Sequence, residues 1–167
     1  AWSSSLLRPL GVAAAVYPVR GEIRVYQVEP GRLGHIVRTG AEYLVPRADG
    51  RVLVGSTVER AGFDAVTSAS GQQKLRRAAA ALMPELGTLE PVAAWAGLRP
   101  GCDSDAPMIG PVDGADGLFV NTGHFRNGFA LGPGSARLLA DQLLGRELSL
   151  NGDPYRVPRK NSSGVYS

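Results

Sequence analysis

Two arginines stand in similar surroundings in the second half of the chain. One lies in the segment Trp95-Ala96-Gly97-Leu98-Arg99-Pro100-Gly101, and the other lies in Gly123-His124-Phe125-Arg126-Asn127-Gly128. Small or rigid neighbours restrict such a side chain, and a planar guanidinium can donate two parallel hydrogen bonds to one carboxylate. A single arginine of this kind more often forms a surface ion pair. Two arginines that converge would instead hold an anionic substrate.

The remaining residues of catalytic types are few and scattered. The only histidines are His35 and His124, and the only cysteine is Cys102, so the sequence predicts no metal site. A single cysteine excludes an internal disulfide framework and indicates a reducing compartment, from which we expect a cytoplasmic location. No pair of carboxylates has the arrangement expected of an acid–base catalyst, and no catalytic residue is assigned.

Length and composition place the chain among ordinary globular proteins. Its 167 residues can bury a proper core, and no apolar run approaches the roughly 20 residues that a membrane span requires. The net charge is +3, but the basic residues are dispersed except for Lys74, Arg76 and Arg77. We interpret those three as the solvated face of a helix, and we expect no nucleic-acid partner.

Alternation of apolar residues predicts an antiparallel sheet in the first half of the chain. The Asp49-Gly50 pair between two apolar runs is a strong signal for a hairpin. Such a meander can offer one face to a ligand. The predicted strands are Glu22–Tyr26, His35–Arg38, Tyr43–Pro46 and Arg51–Gly55.

Two helices and one further strand are predicted after the meander. The first helix begins at a capping box over Ser70–Gln73, buries a stripe that includes Leu75 and Ala79, and ends before Pro84. A strand covers Leu118–Asn121. The last helix runs from about Pro133 to Leu144, with Pro133 near its first position and Gly145 as its stop.

The stretch Gly132-Pro133-Gly134-Ser135-Ala136-Arg137 superficially resembles a dinucleotide-binding turn. Proline in the second position and arginine in the sixth do not fit that fingerprint, and no strand–helix–strand unit follows. We therefore interpret this stretch as part of a helix start.

Several segments together resemble the second half of FAD-dependent amino-acid oxidases of the glycine oxidase and D-amino-acid oxidase (DAO) family. They are Tyr17–Glu22, Tyr43–Arg47, Gly50–Thr57 and the two arginine segments. The resemblance implies an α+β fold, in which an antiparallel sheet with a flanking helix forms the substrate domain. A C-terminal strand and helix would complete an FAD-binding Rossmann-like domain, whose glycine-rich turn has no counterpart before Gly21.

The resemblance therefore predicts a fragment, or one subunit of a split enzyme. Ala1-Trp2-Ser3 resembles the end of the strand that closes the family's dinucleotide domain. The expected partner is a missing N-terminal FAD-binding domain, in cis or in trans, and a homo-oligomer is left open. The implied division is residues 1–21 for the end of the truncated FAD-binding domain, 22–94 for the substrate domain, 95–148 for the flavin-covering segment and 149–167 for a polar tail.

The implied reaction is the oxidation of glycine or another small amino acid to an imine, which hydrolyses to a 2-oxo acid and ammonia. Oxygen as acceptor would give hydrogen peroxide, and the family relation suggests a role in thiamine biosynthesis. Arg99 is the first candidate for binding the substrate carboxylate, and Arg126 and Tyr43 are the others. The residues expected to contact FAD, chiefly through their main chain, are Gly97, His124, Arg126, Asn127, Gly128 and Phe129.

Two positions differ from relatives and leave the amine substrate open: Ala41, where some relatives have histidine, and Val58, where one has methionine. Two other functions also remain open. One is a non-catalytic module that binds carboxylates or other proteins. The other is a subunit of a multichain amine dehydrogenase. A dinucleotide domain encoded upstream or in a neighbouring gene would separate these hypotheses.

Overall fold

The computed structural model describes residues 1–12, 15–104 and 106–158. The chain forms two compact units, one of Val19–Leu98 and one of Ala1–Pro18 together with the residues from Arg99 onward. The first unit is close in extent to the predicted substrate domain of residues 22–94. The functional roles assigned to these regions remain predictions.

The elements follow the α+β class expected from the sequence, with antiparallel pairing in both sheets. One sheet has five strands in the order β2-β3-β4-β1-β5, and the other pairs β6 with β7. Short 3-10 segments cover Arg8–Leu10, Pro84–Gly87 and Asp153–Tyr155. The helices and strands are α1 (Ser3–Leu7), β1 (Val16–Gln27), β2 (Val37–Thr39), β3 (Glu42–Pro46), β4 (Arg51–Gly55), α2 (Ala69–Leu82), β5 (Ala93–Cys102), β6 (Met108–Pro111), β7 (Phe119–Thr122) and α3 (Gly128–Leu143).

The core of the unit Val19–Leu98 lies between α2 and one face of the sheet. Alternate strand residues turn to this face, because successive side chains of a strand point to opposite sides. The predicted helix stripe is confirmed, since Leu75 and Ala79 are fully buried. The buried members of this core are Tyr26, Leu44, Val52, Val54, Leu75, Ala79 and Leu86. The opposite face of the sheet carries Tyr43 and Gly55, whose neighbours Leu44 and Val54 point into the core.

The predicted hairpin between β3 and β4 is confirmed. Arg47 N–H donates to the carbonyl of Arg51 at 2.8 Å, and Gly50 N–H donates to the carbonyl of Arg47 at 3.0 Å. Gly50 has φ +84°, a left-handed conformation that glycine adopts without a steric penalty. The turn chemistry of Asp49-Gly50 therefore sets the register of the two strands.

Helix α2 begins slightly earlier than predicted. The Oγ of Ser68 accepts a hydrogen bond from Gly71 N–H at 3.0 Å, so Ser68 is the capping residue and the assignment of that role to Ser70 was wrong. Ser68 has an extended backbone, which suits a residue that precedes the helix. The helix ends at Leu82, and Met83 is extended before Pro84, as predicted.

A buried carboxylate joins β1 to the start of α2. The side chain of Glu22 is fully buried and accepts hydrogen bonds from Ser68 N–H at 2.9 Å, Ser68 Oγ at 2.8 Å and Gln72 Nε2 at 2.8 Å. The Nε of Arg20 lies 3.8 Å from Glu22 Oε1. A methyl group at Gly71 would overlap this carboxylate, with 2.6 Å to Cδ of Glu22. The absence of a side chain at Gly71 thus lets the helix lie directly against the acid.

Arg20 extends this arrangement to the loop that precedes α2. Its Nη2 donates to Glu59 at 2.6 Å, and its Nη1 donates to Asp64 at 2.8 Å and to the carbonyl of Val66 at 3.0 Å. The hydrogen bond with Glu59 is the main reason why the pKa of Arg20 is raised further above its usual value. The guanidinium therefore ties an otherwise irregular segment to β1.

The other unit has its own core around β6 and β7. Strand β6 was not predicted, and the helix α1 begins at Ser3, so the interpretation of Ala1-Trp2-Ser3 as a strand end was wrong at Ser3. The predicted strand over Leu118–Asn121 is confirmed as β7, one residue later. The buried apolar residues of this core are Leu7, Val16, Met108, Val112, Val120 and Val157.

Helix α3 begins at Gly128, so the prediction that it starts near Pro133 was wrong. Pro133 lies inside the helix, where it lacks the N–H that would bond back to the carbonyl of Phe129. The carbonyl of Asn127 accepts the first helical bond, from Leu131 N–H at 2.8 Å. The predicted stop at Gly145 is confirmed, because this residue follows the helix with φ +59°.

Asp141 fastens the end of α3 to the chain that follows it. Its fully buried carboxylate accepts from Ser149 Oγ at 2.8 Å and pairs with Arg137 Nε at 3.0 Å. The hydrogen bond from Ser149, followed by the interaction with Arg137, lowers the pKa of Asp141. A depressed carboxyl pKa contributes stability that is fully present above the ordinary value of about 3.9 and is lost as pH falls through the depressed value.

We expect Asp141→Asn to lower the melting temperature at pH 7 and to flatten its decline below about pH 4, because asparagine does not titrate. Melting curves of both proteins across this range test the expectation. Asp116→Asn, at an exposed position, serves as the control and should follow the wild-type profile. Parallel profiles for wild type and Asp141→Asn would contradict the prediction.

No helix in the described ranges 1–12, 15–104 and 106–158 is both long enough and apolar enough to cross a membrane.

Candidate functional site

The first arginine segment is a strand, which the sequence did not predict. Residues Trp95 to Gly101 all lie within β5, and Arg99 is partly buried there. Gly97 is exposed, and a methyl group at this position would meet no atom within 4 Å. The main chain at Gly97 is therefore open to close approach, as its predicted role in binding a cofactor requires.

The second arginine segment is a tight connection between β7 and α3. Gly123 has φ +83°, and the non-glycine residue Phe125 also has a positive φ of +47°. Asn127 N–H donates to the carbonyl of His124 at 2.9 Å and closes the turn. A left-handed conformation is uncommon for a bulky residue, and such residues concentrate at functional sites. The backbone geometry therefore indicates a candidate functional site at this turn, independently of its sequence.

The main chains of the two arginine segments adjoin each other. Phe125 N–H donates a hydrogen bond of 2.9 Å to the carbonyl of Pro100. Phe125 precedes Arg126, and Pro100 follows Arg99, so this bond joins the immediate neighbours of both arginines. Gly123 packs against Cys102, where an added Cβ would lie 3.3 Å from the cysteine Cβ. The structure thus brings together two segments that are separate in the sequence.

His124 contributes a buried polar atom to the same turn. Its Nε2 has no hydrogen-bond partner among the residues that the structure describes. Burial lowers the pKa of His124, which favours the neutral form of the imidazole. A buried polar atom without a partner is costly, and an external group that offers a hydrogen bond would remove that cost.

The start of α3 also has unused hydrogen-bonding capacity. The first N–H groups of a helix have no acceptor within the helix, and in the described structure the side chain of Asn127 does not cap them. The positive end of the helix dipole favours negative charge at this point. Phe129 is fully exposed beside it. Together with the Nε2 of His124, these features fit the polar edge of a flavin ring.

Tyr43 belongs to the other unit, on the sheet face opposite α2. It lies in β3 directly across from Gly55 of β4, and the pairing places Ile23 of β1 on the other side of Gly55. Tyr43 is partly buried, and Val58 is 46% exposed beyond the end of β4. Sequence reasoning selected Tyr43 but missed Gly55. The available signal was a glycine inside a strand that pairs with a strand carrying an aromatic residue.

Among the described residues, no group of three or more histidine, cysteine, aspartate or glutamate side chains could hold a metal ion.

Comparison with known proteins gives a consistent result. Residues 1–142 match the model of the DAO family, described as FAD-dependent oxidoreductases. Glycine oxidase from Pseudomonas aeruginosa is 49% identical over 155 residues, which cover 93% of this chain and 43% of that protein. A hydrogen cyanide synthase subunit from Pseudomonas protegens is 35% identical over 95% of this chain and 38% of that protein.

The structure of glycine oxidase from Geobacillus kaustophilus superposes with a TM-score of 0.88 at 34% identity, covering 95% of this chain and 43% of that one. The chain thus spans about two-fifths of the length of these relatives. The α+β architecture with its antiparallel sheet matches the corresponding part of the glycine oxidase fold. Because the family match extends over residues 1–142 and the fold agrees with it, the chain belongs to the DAO family of FAD-dependent oxidoreductases.

Proposed function

We propose that this chain provides the substrate-binding and flavin-covering part of an FAD-dependent amino-acid oxidase or dehydrogenase that acts on glycine or another small amino acid. The hydrogen bond from Phe125 N–H to the carbonyl of Pro100 carries the proposal, because it places two arginine-bearing segments side by side. Membership of a family of FAD-dependent oxidoreductases supplies the chemical context.

In this proposal three side chains bind the substrate carboxylate. Arg99 is the principal ligand, since a guanidinium can donate to both carboxylate oxygens at once. Arg126 adds a second positive charge from the neighbouring turn, and the hydroxyl of Tyr43 donates one further hydrogen bond. Fixing the carboxylate orients the carbon that bears the amine, and such positioning is a large part of catalysis when no protein base is required.

The turn from Gly123 to Phe129 would hold the flavin ring. Its contacts would come chiefly from the main chain of Arg126, Asn127, Gly128 and Phe129, and Gly97 and His124 are the other residues proposed to contact FAD. FAD, when bound, supplies a two-electron acceptor for the hydride that leaves the amine-bearing carbon. The positive end of α3 would favour the negative charge that reduction adds to the ring edge.

The overall reaction converts the amino acid to an imine as two electrons and two protons leave it. Water then hydrolyses the imine to a 2-oxo acid and ammonia. With oxygen as the acceptor the second product is hydrogen peroxide, and with a quinone it is the quinol. A place in thiamine biosynthesis and a cytoplasmic location remain predictions that follow from the family relation and the single cysteine.

The proposal requires a dinucleotide-binding domain that this stretch of sequence does not contain. That domain would be joined in cis or contributed in trans, and β7 and α3 would complete it. The similarity to a hydrogen cyanide synthase subunit favours a second candidate function, in which this chain is part of a multichain dehydrogenase.

Flavin binding tests the proposal. We expect the protein that includes the dinucleotide-binding part to hold FAD and to lose flavin absorbance when glycine is added without oxygen. The present chain alone should bind little FAD. Oxygen uptake and reduction of an artificial quinone, measured with and without candidate companion chains, separate the oxidase from the multichain dehydrogenase.

If the complete protein neither binds FAD nor responds to small amino acids, the oxidase proposal fails. A carboxylate-binding module would then be the better account, and calorimetry with glycine and acetate would test it.

A further inference from the structure

Three residues form a row across three neighbouring strands of the sheet. Gly55 of β4 pairs with Tyr43 of β3 on one side and with Ile23 of β1 on the other. Side chains of residues directly opposite each other in antiparallel strands project from the same face. The row therefore has a tyrosine and an isoleucine at its ends, and the residue between them, Gly55, has no side chain.

The ring of Tyr43 occupies the space where a side chain at position 55 would lie. A Cβ built at Gly55 would lie 2.6 Å from both Cζ and the hydroxyl oxygen of Tyr43, and 2.7 Å from Cδ1 of Ile23. Carbon atoms in favourable contact are about 3.5–4.0 Å apart, so no side chain fits there while the ring keeps its place. The ring thus leans across β4, and its hydroxyl lies above the backbone of Gly55.

Gly55 is not required by a left-handed backbone. Its φ lies outside the left-handed range, unlike the φ of Gly50 in the neighbouring hairpin. Glycine within a strand is ordinarily unfavourable, because it packs no side chain and loses more conformational entropy on folding. The feature that explains glycine here is the space taken by the tyrosine ring and the tip of Ile23.

We propose that Gly55 is a positioning residue: by leaving room for the Tyr43 ring, it fixes where the tyrosine hydroxyl meets the substrate carboxylate. This inference rests on the proposed function, in which Tyr43 binds that carboxylate. The hydroxyl is at the end of the side chain, so a rotation that relieves contact with a methyl group at position 55 moves it furthest. A hydrogen bond weakens steeply outside its narrow range of distance and angle, so displacement should remove the contact.

The test uses the complete flavoprotein and a double-mutant cycle of Gly55→Ala and Tyr43→Phe. We expect each single substitution to raise the KM for glycine by about tenfold, the effect of losing one hydrogen bond to a charged group, with kcat within about threefold of wild type. The double variant should be no worse than either single variant, because both remove the same contact.

Two further variants separate positioning from general damage to the sheet. Gly34→Ala adds a methyl group to the same unit where it meets no atom within 4 Å, and its KM should equal that of wild type. Ile23→Val deletes Cδ1, the other atom that the new methyl group would strike. Ile23→Val combined with Gly55→Ala should regain thermal stability relative to Gly55→Ala but keep the raised KM.

Two results would overturn the inference. One is a wild-type KM in Gly55→Ala. The other is a double variant of Gly55 and Tyr43 whose KM rises by the product of the single effects, because Gly55 would then act independently of the hydroxyl. Loss of flavin from Gly55→Ala, both alone and combined with Ile23→Val, would also overturn it, since the proposal confines the effect to the ring. Failure of the wild type to oxidise any small amino acid would refute the proposed function instead.

Discussion

Glu22→Ala is expected to lower the free energy of unfolding by about 3–5 kcal/mol. The substitution removes a fully buried carboxylate and leaves the hydrogen-bond donors that face it without an acceptor. Deleting one partner of a buried charge pair strongly destabilises the folded state, because the remaining charge stays buried without its counter-charge. Here the backbone N–H of Ser68, the amide of Gln72 and the nearby Arg20 are all affected.

Denaturant unfolding of wild type and variant measures this loss. Glu85→Ala is the matched control, because Glu85 also pairs with an arginine, Arg32 at 2.7 Å, but the side chains of Arg32 and Glu85 are 60% and 36% exposed. Exposed ion pairs contribute little to stability, so the control should unfold at nearly the wild-type denaturant concentration. Equal midpoints for the two variants would show that the Glu22 cluster does not stabilise the fold.

Arg99→Ala is expected to reduce kcat/KM for glycine by about 10²–10³-fold in the complete flavoprotein. Under the proposed function, this residue donates charge-assisted hydrogen bonds to both oxygens of the substrate carboxylate, and each such bond contributes roughly 1.5–3 kcal/mol. Arg99→Lys should recover only part of the activity, because an ammonium group lacks the planar fork of a guanidinium.

The loss should be specific to substrates that carry a carboxylate. A small amine without a carboxylate should be oxidised at similar rates by wild type and Arg99→Ala, so the preference for glycine falls. Arg146→Ala, which removes an exposed arginine after α3, should leave steady-state kinetics unchanged. An Arg99→Ala enzyme that retains its preference for glycine would argue for a structural role of this arginine.

Local sequence signals determined much of the sheet and the C-terminal end of α2. The strands β3 and β4 follow from alternating apolar residues around an Asp-Gly turn, and the end of α2 follows from Pro84. Strand β5 escaped prediction because it contains Gly97, Pro100 and Gly101, residue types that disfavour strands. Its strand character depends on pairing within the sheet beside β1, which is tertiary context.

The start of α3 was misplaced for a related reason. Pro133 is favoured at the first position of a helix, but here it lies in the second turn, and the helix tolerates the missing N–H. Consequently the turn at Arg126 was recognised from its residues, while its position directly at the helix start was not. The left-handed φ of Phe125 and the ring placement of Tyr43 over Gly55 also depend on packing and had no distinctive local pattern.

The close approach of α2 to Glu22 makes two distant positions of the sequence dependent on each other. While position 22 carries a carboxylate, no side chain fits at Gly71, although alanine would favour the helix by about 1 kcal/mol. Shortening the residue at 22 opens that space. In a library randomised at both sites, alanine at 71 should survive selection for folding chiefly beside a small residue at 22, so neither position can vary freely without its counterpart.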